Sequence, residues 1–314
     1  MSHLSIESMK AFLSQSIASL NRNKINGMLA EVDFRNRLND LGFGDRVSQG
    51  GWIVRNTGAN NFSEHVNVFF PKIIEPGLEY TEGNIGEPPR RLHTICSTMH
   101  QIGIHSYYCI PVIQRENDPT SINWMATQLG IPVEDEYHLF NDVIDGFERR
   151  ERRFNFLRYH QNTDEIPEVS VPEEFTKENI RVRFQEQFFS EMSDIDGILW
   201  GEQFTYPIEI KEKTPAFEKK IGEYFGIDIG PFVKLAFYAA KRGNLHSLFV
   251  VREIDNTENR NLVNWWYITF NRLAQYASWV FVGGGRNMQG GKSSVVRIPK
   301  CEFSPLSAEN LHDL

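Results

Sequence analysis

The stretch DIDGILWGEQFTYPIEIKEK, residues 194–213, contains two strand patterns separated by the turn Gly201-Glu202. Within 204–213, apolar residues alternate with the rest, as they do in a strand that buries one face. The apolar face carries Phe204, Tyr206, Ile208 and Ile210, and the opposite face carries Thr205, Pro207, Glu209 and Lys211. The pattern therefore predicts a β-hairpin built from residues 194–200 and 204–213.

Carboxylates occur on both predicted strands. Asp194 and Asp196 share one face of the first strand, and twelve residues separate Asp196 from Glu209 on the second. If the hairpin forms, Asp196 and Glu209 converge, and two hard carboxylates at one point suit Mg²⁺ completed by waters and a phosphate. Mg²⁺ lowers the pKa of a bound water, and Lys211 on the same face can orient or deprotonate that water. Asp194 in place of Asp196 as the ligand stays open.

The simpler alternative is a solvated strand face, because an Asp followed by Glu-x-Lys is common by chance. The order of elements favours the metal site. An Asp-Gly strand, a tight turn and a Glu-x-Lys strand are followed by a predicted helix at 230–243 and a strand at 246–254. This order predicts a metal-dependent phosphodiesterase.

Asp196, Glu209 and Lys211 resemble the signature of the PD-(D/E)xK nuclease superfamily. The resemblance covers mainly residues 175–254 and implies the restriction-endonuclease-like fold, an α/β architecture with a mixed central sheet flanked by helices. Mg²⁺, or Mn²⁺ in its place, is the implied cofactor and DNA the implied substrate. Ile195 stands where the signature has proline, and about 140 residues separate the strand 52–55 from Asp196, which requires a large insertion.

Many members of the superfamily carry a metal-binding glutamate on the first core helix. Here a helix predicted over 28–41 contains Glu31 and precedes the strand 52–55, which is the expected order. The alternatives are that Glu31 is a solvated helix residue, or that Glu186 on a helix predicted over 175–189 takes this place. Some branches also have Gln-x-x-x-Tyr on the next helix. Lys234 and Tyr238 have that spacing, with lysine replacing glutamine, and could contact a phosphate or base; a lysine extending from an amphipathic helix is the other interpretation.

Two further segments carry basic residues that suit a nucleic acid. The glycine-rich stretch 283–294 lacks the spacing of a phosphate-binding P-loop and is read as a hairpin tip, where Arg286 and Lys292 could contact phosphates. Residues 148–159 predict a basic, aromatic helix in which Arg152 and Arg153 could follow a phosphate backbone. An exposed loop and a solvated helix face are the respective alternatives.

Composition limits the class of protein. The chain has 314 residues, 40% of them hydrophobic and 24% charged, with a net charge of −8, which excludes a generally basic nucleic-acid coat. Three cysteines do not suggest a disulfide framework and favour the cytoplasm. No apolar window is long enough for a membrane span, and no membrane partner is expected.

These observations predict three regions. Residues 1–60 supply N-terminal helices and a strand that could join the nuclease core, 61–174 form an inserted or recognition region ending in a Pro-rich acidic linker, and 175–314 form the nuclease core. The predicted function is a Mg²⁺-dependent DNA endonuclease of restriction or defence type, with a homodimer left open. The alternative is a catalytically idle DNA-binding or interaction module of the same fold.

Overall fold

A computed structural model describes residues 3–56, 66–84, 86–130, 136–143, 147–240, 244–278, 280–286 and 292–314. The chain forms two compact units that are interleaved in sequence. The first unit contains residues 1–28 and 49–195, and the second contains 29–48 and 196–314. None of the described helices is long and apolar enough to cross a membrane.

The first unit contains a six-stranded mixed sheet and several helices. Its elements in chain order are α1 (Ile6–Ser16), the start of α2 (Arg22–Asp40), β1 (Gly51–Asn56), β2 (Val66–Pro71), α3 (Arg90–Gln101), β3 (Ile104–Ile113), β4 (Ile122–Leu129), β5 (His138–Leu139), α4 (Phe140–Val143), α5 (Val171–Gln185) and β6 (Ser190–Ile195). The strand order is β5-β4-β3-β2-β1-β6. Only the pairing of β2 with β3 is parallel within this described sheet.

Aromatic contacts hold the helices of the first unit to its sheet. Phe12 on α1 meets Phe175 on α5 edge to face, with 5.4 Å between ring centroids. Phe184, at the other end of α5, lies 5.4 Å from Phe69 of β2. Because α5 is anchored at both ends within this core, it belongs to the first unit.

The second unit contains two further sheets. Its elements after α2 are β7 (Gly197–Trp200), β8 (Thr205–Lys213), β9 (Ala216–Glu218), β10 (Gly222–Asp228), α6 (Ile229–Ala239), β11 (Leu248–Ile254), β12 (Leu262–Thr269), α7 (Phe270–Tyr276), β13 (Val282–Arg286), β14 (Lys292–Pro299), β15 (Ser304–Pro305) and α8 (Ala308–His312). One sheet has the order β15-β12-β11-β8-β7 and the other β13-β14-β10-β9. Strands β8 and β11 run parallel, whereas β7 and β8 form the predicted antiparallel hairpin.

Helices cover both faces of the five-stranded sheet. On one face, Phe34 of α2 belongs to the same buried cluster as Ile208 and Ile210 of β8. On the other, Leu235 of α6 is buried with Phe249 of β11. The alternation of β8 therefore has the predicted consequence: its apolar face is buried under α2, and Glu209 and Lys211 face the side of α6. The protein is a mixed α/β fold.

The predicted helix over 148–159 is wrong, since this segment has no regular secondary structure. Arginine side chains of this segment contact distant parts of the chain instead. The Arg150 side chain donates through Nε to the Gln185 carbonyl oxygen at 2.7 Å, at the end of α5, and its guanidinium lies over the Phe189 ring. Such contacts depend on the tertiary fold and are not visible in local spacing.

The predicted strand over 194–200 is two strands. Residue Asp196 separates β6, which pairs with β1 in the first unit, from β7, which pairs with β8 in the second. The predicted boundary after residue 174 is likewise replaced by a division between Ile195 and Asp196. Residues 161–174 are not a free linker, because Ile166 and Val171 are buried in the first core.

Candidate active site

The β7–β8 hairpin places Asp196 beside Glu209. Gly197 pairs with Ile208, so the residues next to them, Asp196 and Glu209, lie opposite each other and share a face. The Asp196 Oδ2 atom accepts a 2.6 Å hydrogen bond from the backbone N–H of Ile210, which fixes the carboxylate against β8. Both residues are deeply buried, with 3% and 2% of their surface exposed. Two carboxylates therefore share a largely dry site.

Two lysines meet the carboxylate of Glu209. The Lys211 Nζ atom lies 2.6 Å from Glu209 Oε1, and Lys234 of α6 contacts Oε2. The exposed fraction is 34% for the Lys211 side chain and 15% for Lys234, so the site opens towards solvent on the side of Lys211. A buried carboxylate needs such partners, because desolvating an isolated charge is costly.

Helix α6 brings Lys234 to the site because its apolar residues anchor it on the sheet. Leu235 is buried against Phe249, and its carbonyl oxygen accepts a 2.9 Å hydrogen bond from the hydroxyl of Ser247. Tyr238, one turn after Lys234, is only 1% exposed. Its burial indicates that Tyr238 supports the packing of α6 beside the site.

A third lysine extends the charged cluster. Lys213 follows Glu209 and Lys211 on the same side of β8 by alternation, and burial lowers its pKa. Attraction to Asp228, immediately before α6, and to Glu209 opposes this shift, whereas the charge of Lys211 adds to it. The three lysines at 211, 213 and 234 thus balance the carboxylates of Asp196, Glu209 and Asp228. Lys213 was not among the predicted site residues, although it continues the polar alternation of β8 by one step.

The other predicted metal ligands lie in different surroundings. Glu31 is on α2, whose neighbouring residues Ala30 and Phe34 are buried with Ile208 on the opposite face of the sheet from Glu209. Asp194 is an exposed residue of β6 in the first unit, opposite Trp52 of β1. Glu186 lies at the end of α5, also in the first unit.

The candidate metal site consists of two neighbouring carboxylates, those of Asp196 and Glu209. Among the residues that the structure describes, no three His, Cys, Asp or Glu side chains are grouped closely enough to hold a metal ion. Asp196 and Glu209 nevertheless fit a hard divalent cation, since they supply carboxylate oxygens in a buried position with Lys211 adjacent. Glu31 as a further ligand stays a prediction.

The predicted nucleic-acid contacts occupy two places. In the second unit, the backbones of Arg286 and Lys292 are paired between β13 and β14, which agrees with the predicted hairpin. Their side chains and residues 287–291 lie outside the described part of the chain. In the first unit, Arg152 and Arg153 are exposed on the irregular segment before α5.

Comparison of the chain with protein-family models, with curated proteins and with solved structures finds no match.

Proposed function

We propose that the protein is a metal-dependent DNA endonuclease of restriction or defence type that hydrolyses phosphodiester bonds in the cytoplasm. The observation that carries this proposal is the hairpin that brings buried Asp196 beside buried Glu209, with Lys211 at 2.6 Å from Glu209. Two buried carboxylates beside lysines on one strand face are the groups that metal-dependent phosphodiester hydrolysis uses.

The topology of the second unit supports the restriction-endonuclease-like class. After the second-unit part of α2, Val47 forms an antiparallel bridge to Leu199 of β7. Strand β7 pairs antiparallel with β8, and α6 then connects to β11, which runs parallel to β8. A helix, an isolated bridge beside an antiparallel hairpin, a second helix and a parallel strand give a mixed sheet between helices, which supports the resemblance. The strand predicted over 52–55 does not take part, because it pairs with β2 and β6 in the first unit.

In the proposed reaction, Asp196 and Glu209 bind the metal ion and Lys211 contacts the water or the phosphate. Asp196 and Glu209 would hold Mg²⁺ or Mn²⁺, and the bound ion would lower the pKa of a water and stabilise charge on the phosphate. Lys211 lies on the more exposed side of the site and can donate a hydrogen bond to the attacking water or a phosphate oxygen. The water oxygen would form the new bond to phosphorus as the bond to one deoxyribose oxygen breaks; the water gives up a proton to solvent, and the departing oxygen takes up a proton and leaves as a hydroxyl group.

A second function is favoured by one specific observation. Both carboxylate oxygens of Glu209 already meet lysines, and the charges of the cluster are balanced. The same geometry would therefore serve a catalytically idle module that binds DNA and uses the lysines only to stabilise a buried glutamate.

Incubation of supercoiled plasmid with the purified protein tests the proposal. We expect nicked or linear DNA with Mg²⁺ or Mn²⁺, no product with EDTA, and no product from Asp196→Asn. Glu258→Gln, an equivalent carboxylate-to-amide change at an exposed position, serves as the control and should cut like the wild type. DNA binding without cleavage under any divalent ion would favour the idle module, and cleavage by Asp196→Asn would refute the proposed site.

A further inference from the structure

A pocket of about 340 Å³ opens in the first unit, and none of Asp196, Glu209 and Lys211 lines it. Its size lies at the lower end of the range for small-molecule sites, roughly 300–1,000 Å³. The lining residues are Phe12, Thr120, Arg153, Phe154, Asn155, Leu157, Val182, Arg183 and Glu186. All of them belong to the first unit, so the pocket is built by one compact body.

Two guanidinium groups give this pocket a preference for anions. Within the described residues, Arg153 is exposed and forms no ion pair, and the Nε of Arg183 is buried without a hydrogen-bond partner. Arg183 lies 3.5 Å from Glu186, a contact that leaves most of its donor capacity unused. The lining residues carry two positive charges and one negative charge, and Asp118, which is not a lining residue, also interacts with Arg183. An anion with several oxygen acceptors would satisfy both guanidinium groups.

The remaining wall is apolar and partly aromatic. Phe12 and Val182 are buried residues of α1 and α5, and the edge contact of Phe12 with Phe175 fixes its ring. Leu157 is half-buried, and Phe154 is 37% exposed. A flat apolar group could therefore lie against this wall while its charged end meets the arginines.

Polar groups near the wall could contact the edge of such a ring. The Asn155 Oδ1 atom accepts a 2.9 Å hydrogen bond from the Leu157 backbone N–H, which leaves the Asn155 amide NH₂ as a donor. Glu186 supplies an acceptor in the same lining. An apolar wall, paired cations and one donor beside one acceptor match the parts of a nucleotide: a flat base, a phosphate and a polar base edge.

We propose that this pocket binds one nucleoside monophosphate unit, either free or as part of a single strand. The phosphate lies between Arg153 and Arg183, and the base lies against Phe12, Leu157 and Val182. The inference uses only residues of the first unit and requires no metal ion, so it stands apart from the proposed phosphodiester hydrolysis.

Isothermal titration with AMP in EDTA tests the pocket without involving cleavage. We expect AMP to bind, adenosine and inorganic phosphate to bind more weakly, and Arg183→Gln to weaken AMP about tenfold through loss of a charge-assisted hydrogen bond. Leu157→Trp should block AMP by filling the pocket. Arg55→Gln, which changes a guanidinium paired with Glu191 elsewhere in the same unit, should leave the affinity unchanged.

Two further arms identify the source of the nucleotide. Tighter binding of a short single-stranded oligonucleotide than of AMP, with the same loss in Arg183→Gln, supports a strand as the ligand. Tighter binding of AMP supports a free nucleotide. Equal affinity for inorganic phosphate and AMP, or unchanged AMP affinity in folded Arg183→Gln and Leu157→Trp proteins, would overturn the proposal.

Discussion

Glu209 is the residue on which the candidate site depends. Its carboxylate is almost fully buried, and each oxygen meets a lysine. Alternation along β8 made its face predictable from sequence, because Ile208 and Ile210 had to face the core. The contact with Lys234 could not be predicted in the same way, since it depends on how α6 lies across the sheet. The spacing of Lys234 and Tyr238 pointed to the helix but not to this ion pair.

Replacing Lys211 with alanine should abolish cleavage and leave DNA binding largely intact. In the proposed mechanism Lys211 acts at the reacting phosphate, whereas the affinity for DNA would come mainly from phosphate contacts elsewhere. Plasmid cleavage and a gel-shift titration in Ca²⁺ measure the two properties separately. Lys220→Ala, in the exposed turn between β9 and β10, is the matched control. Equal losses of binding and cleavage would assign Lys211 to binding.

Replacing Lys234 with methionine should lower the stability of the metal-free protein and increase its response to metal. The change removes the lysine at Glu209 Oε2 and leaves excess negative charge in a buried site, at a cost of about 3 kcal/mol in unfolding free energy. A divalent ion can replace that positive charge. Thermal melts with and without Mn²⁺ should therefore show a larger upward shift in the midpoint for Lys234→Met than for the wild type.

Lys220→Met, measured in the same melts, controls for the loss of a lysine in general. The account of Lys234 would be refuted by a Lys234→Met protein whose metal-free stability and Mn²⁺ response both equal those of the wild type.

At the scale of elements, the hairpin β7–β8, the helix α6 and the strand β11 follow the sequence pattern closely. The break at Asp196 was not predictable, because residues 194–200 alternate as one continuous strand. The chain instead changes sheets at this residue, so Asp194 and Asp196 take different surroundings. Local spacing also failed for residues 148–159, which were predicted to be a helix. Their arginines instead contact carbonyl oxygens and aromatic rings that are distant in sequence.

The β13–β14 hairpin supports a prediction about salt dependence. If Arg286 and Lys292 contact DNA phosphates, alanine at each position should weaken binding and reduce the slope of log affinity against log salt by about 0.9 per lost contact on duplex DNA. Binding titrations over a range of salt concentrations measure the slope. Arg46→Ala, which removes an exposed cation paired with Glu202 in the second unit, is the comparison. An unchanged slope would return the hairpin to an exposed loop with no role in binding DNA.

At the scale of the whole molecule, the division into units departs most from the sequence prediction. Composition suggested a linker at 161–174, but those residues enter the first core. Residues 29–48 join the second unit instead, because Phe34 and Leu38 are buried with Leu248 and Trp265. Interleaved units are set by long-range packing, which local patterns do not reveal. The helix containing Glu31 does contribute to the unit that holds Asp196 and Glu209.

Stability of the first unit should depend on pH through Glu174. Its carboxylate lies 3.2 Å from the Lys24 ammonium group, and both side chains are mostly buried. Burial alone would raise the pKa of Glu174, but Lys24 and Lys177 outweigh it and hold the pKa below its ordinary value of 4.5. The folded state therefore favours ionised Glu174. This contribution is complete above pH 4.5 and is lost as the pH falls through the lower folded pKa.

Glu174→Gln should accordingly reduce the unfolding free energy at neutral pH by about 2 kcal/mol. This figure lies between the losses expected for breaking an exposed ion pair and a fully buried one. The difference from the wild type should shrink as the pH falls below 4.5. Urea unfolding across this pH range measures both effects. Glu165→Gln, at an exposed position of the same unit, should show neither. A constant difference at all pH values would show that the charge of Glu174 is not its cause.

The central claim is that Asp196 and Glu209 together hold one divalent ion beside Lys211. Anomalous diffraction from crystals grown with saturating Mn²⁺ tests it most directly. The account predicts one peak within about 2.0–2.6 Å of a carboxylate oxygen from each residue, with Lys234 displaced from Glu209, and no peak in Asp196→Asn crystals. Wild-type crystals with no peak at this position, and with Glu209 still held by both lysines, would contradict it.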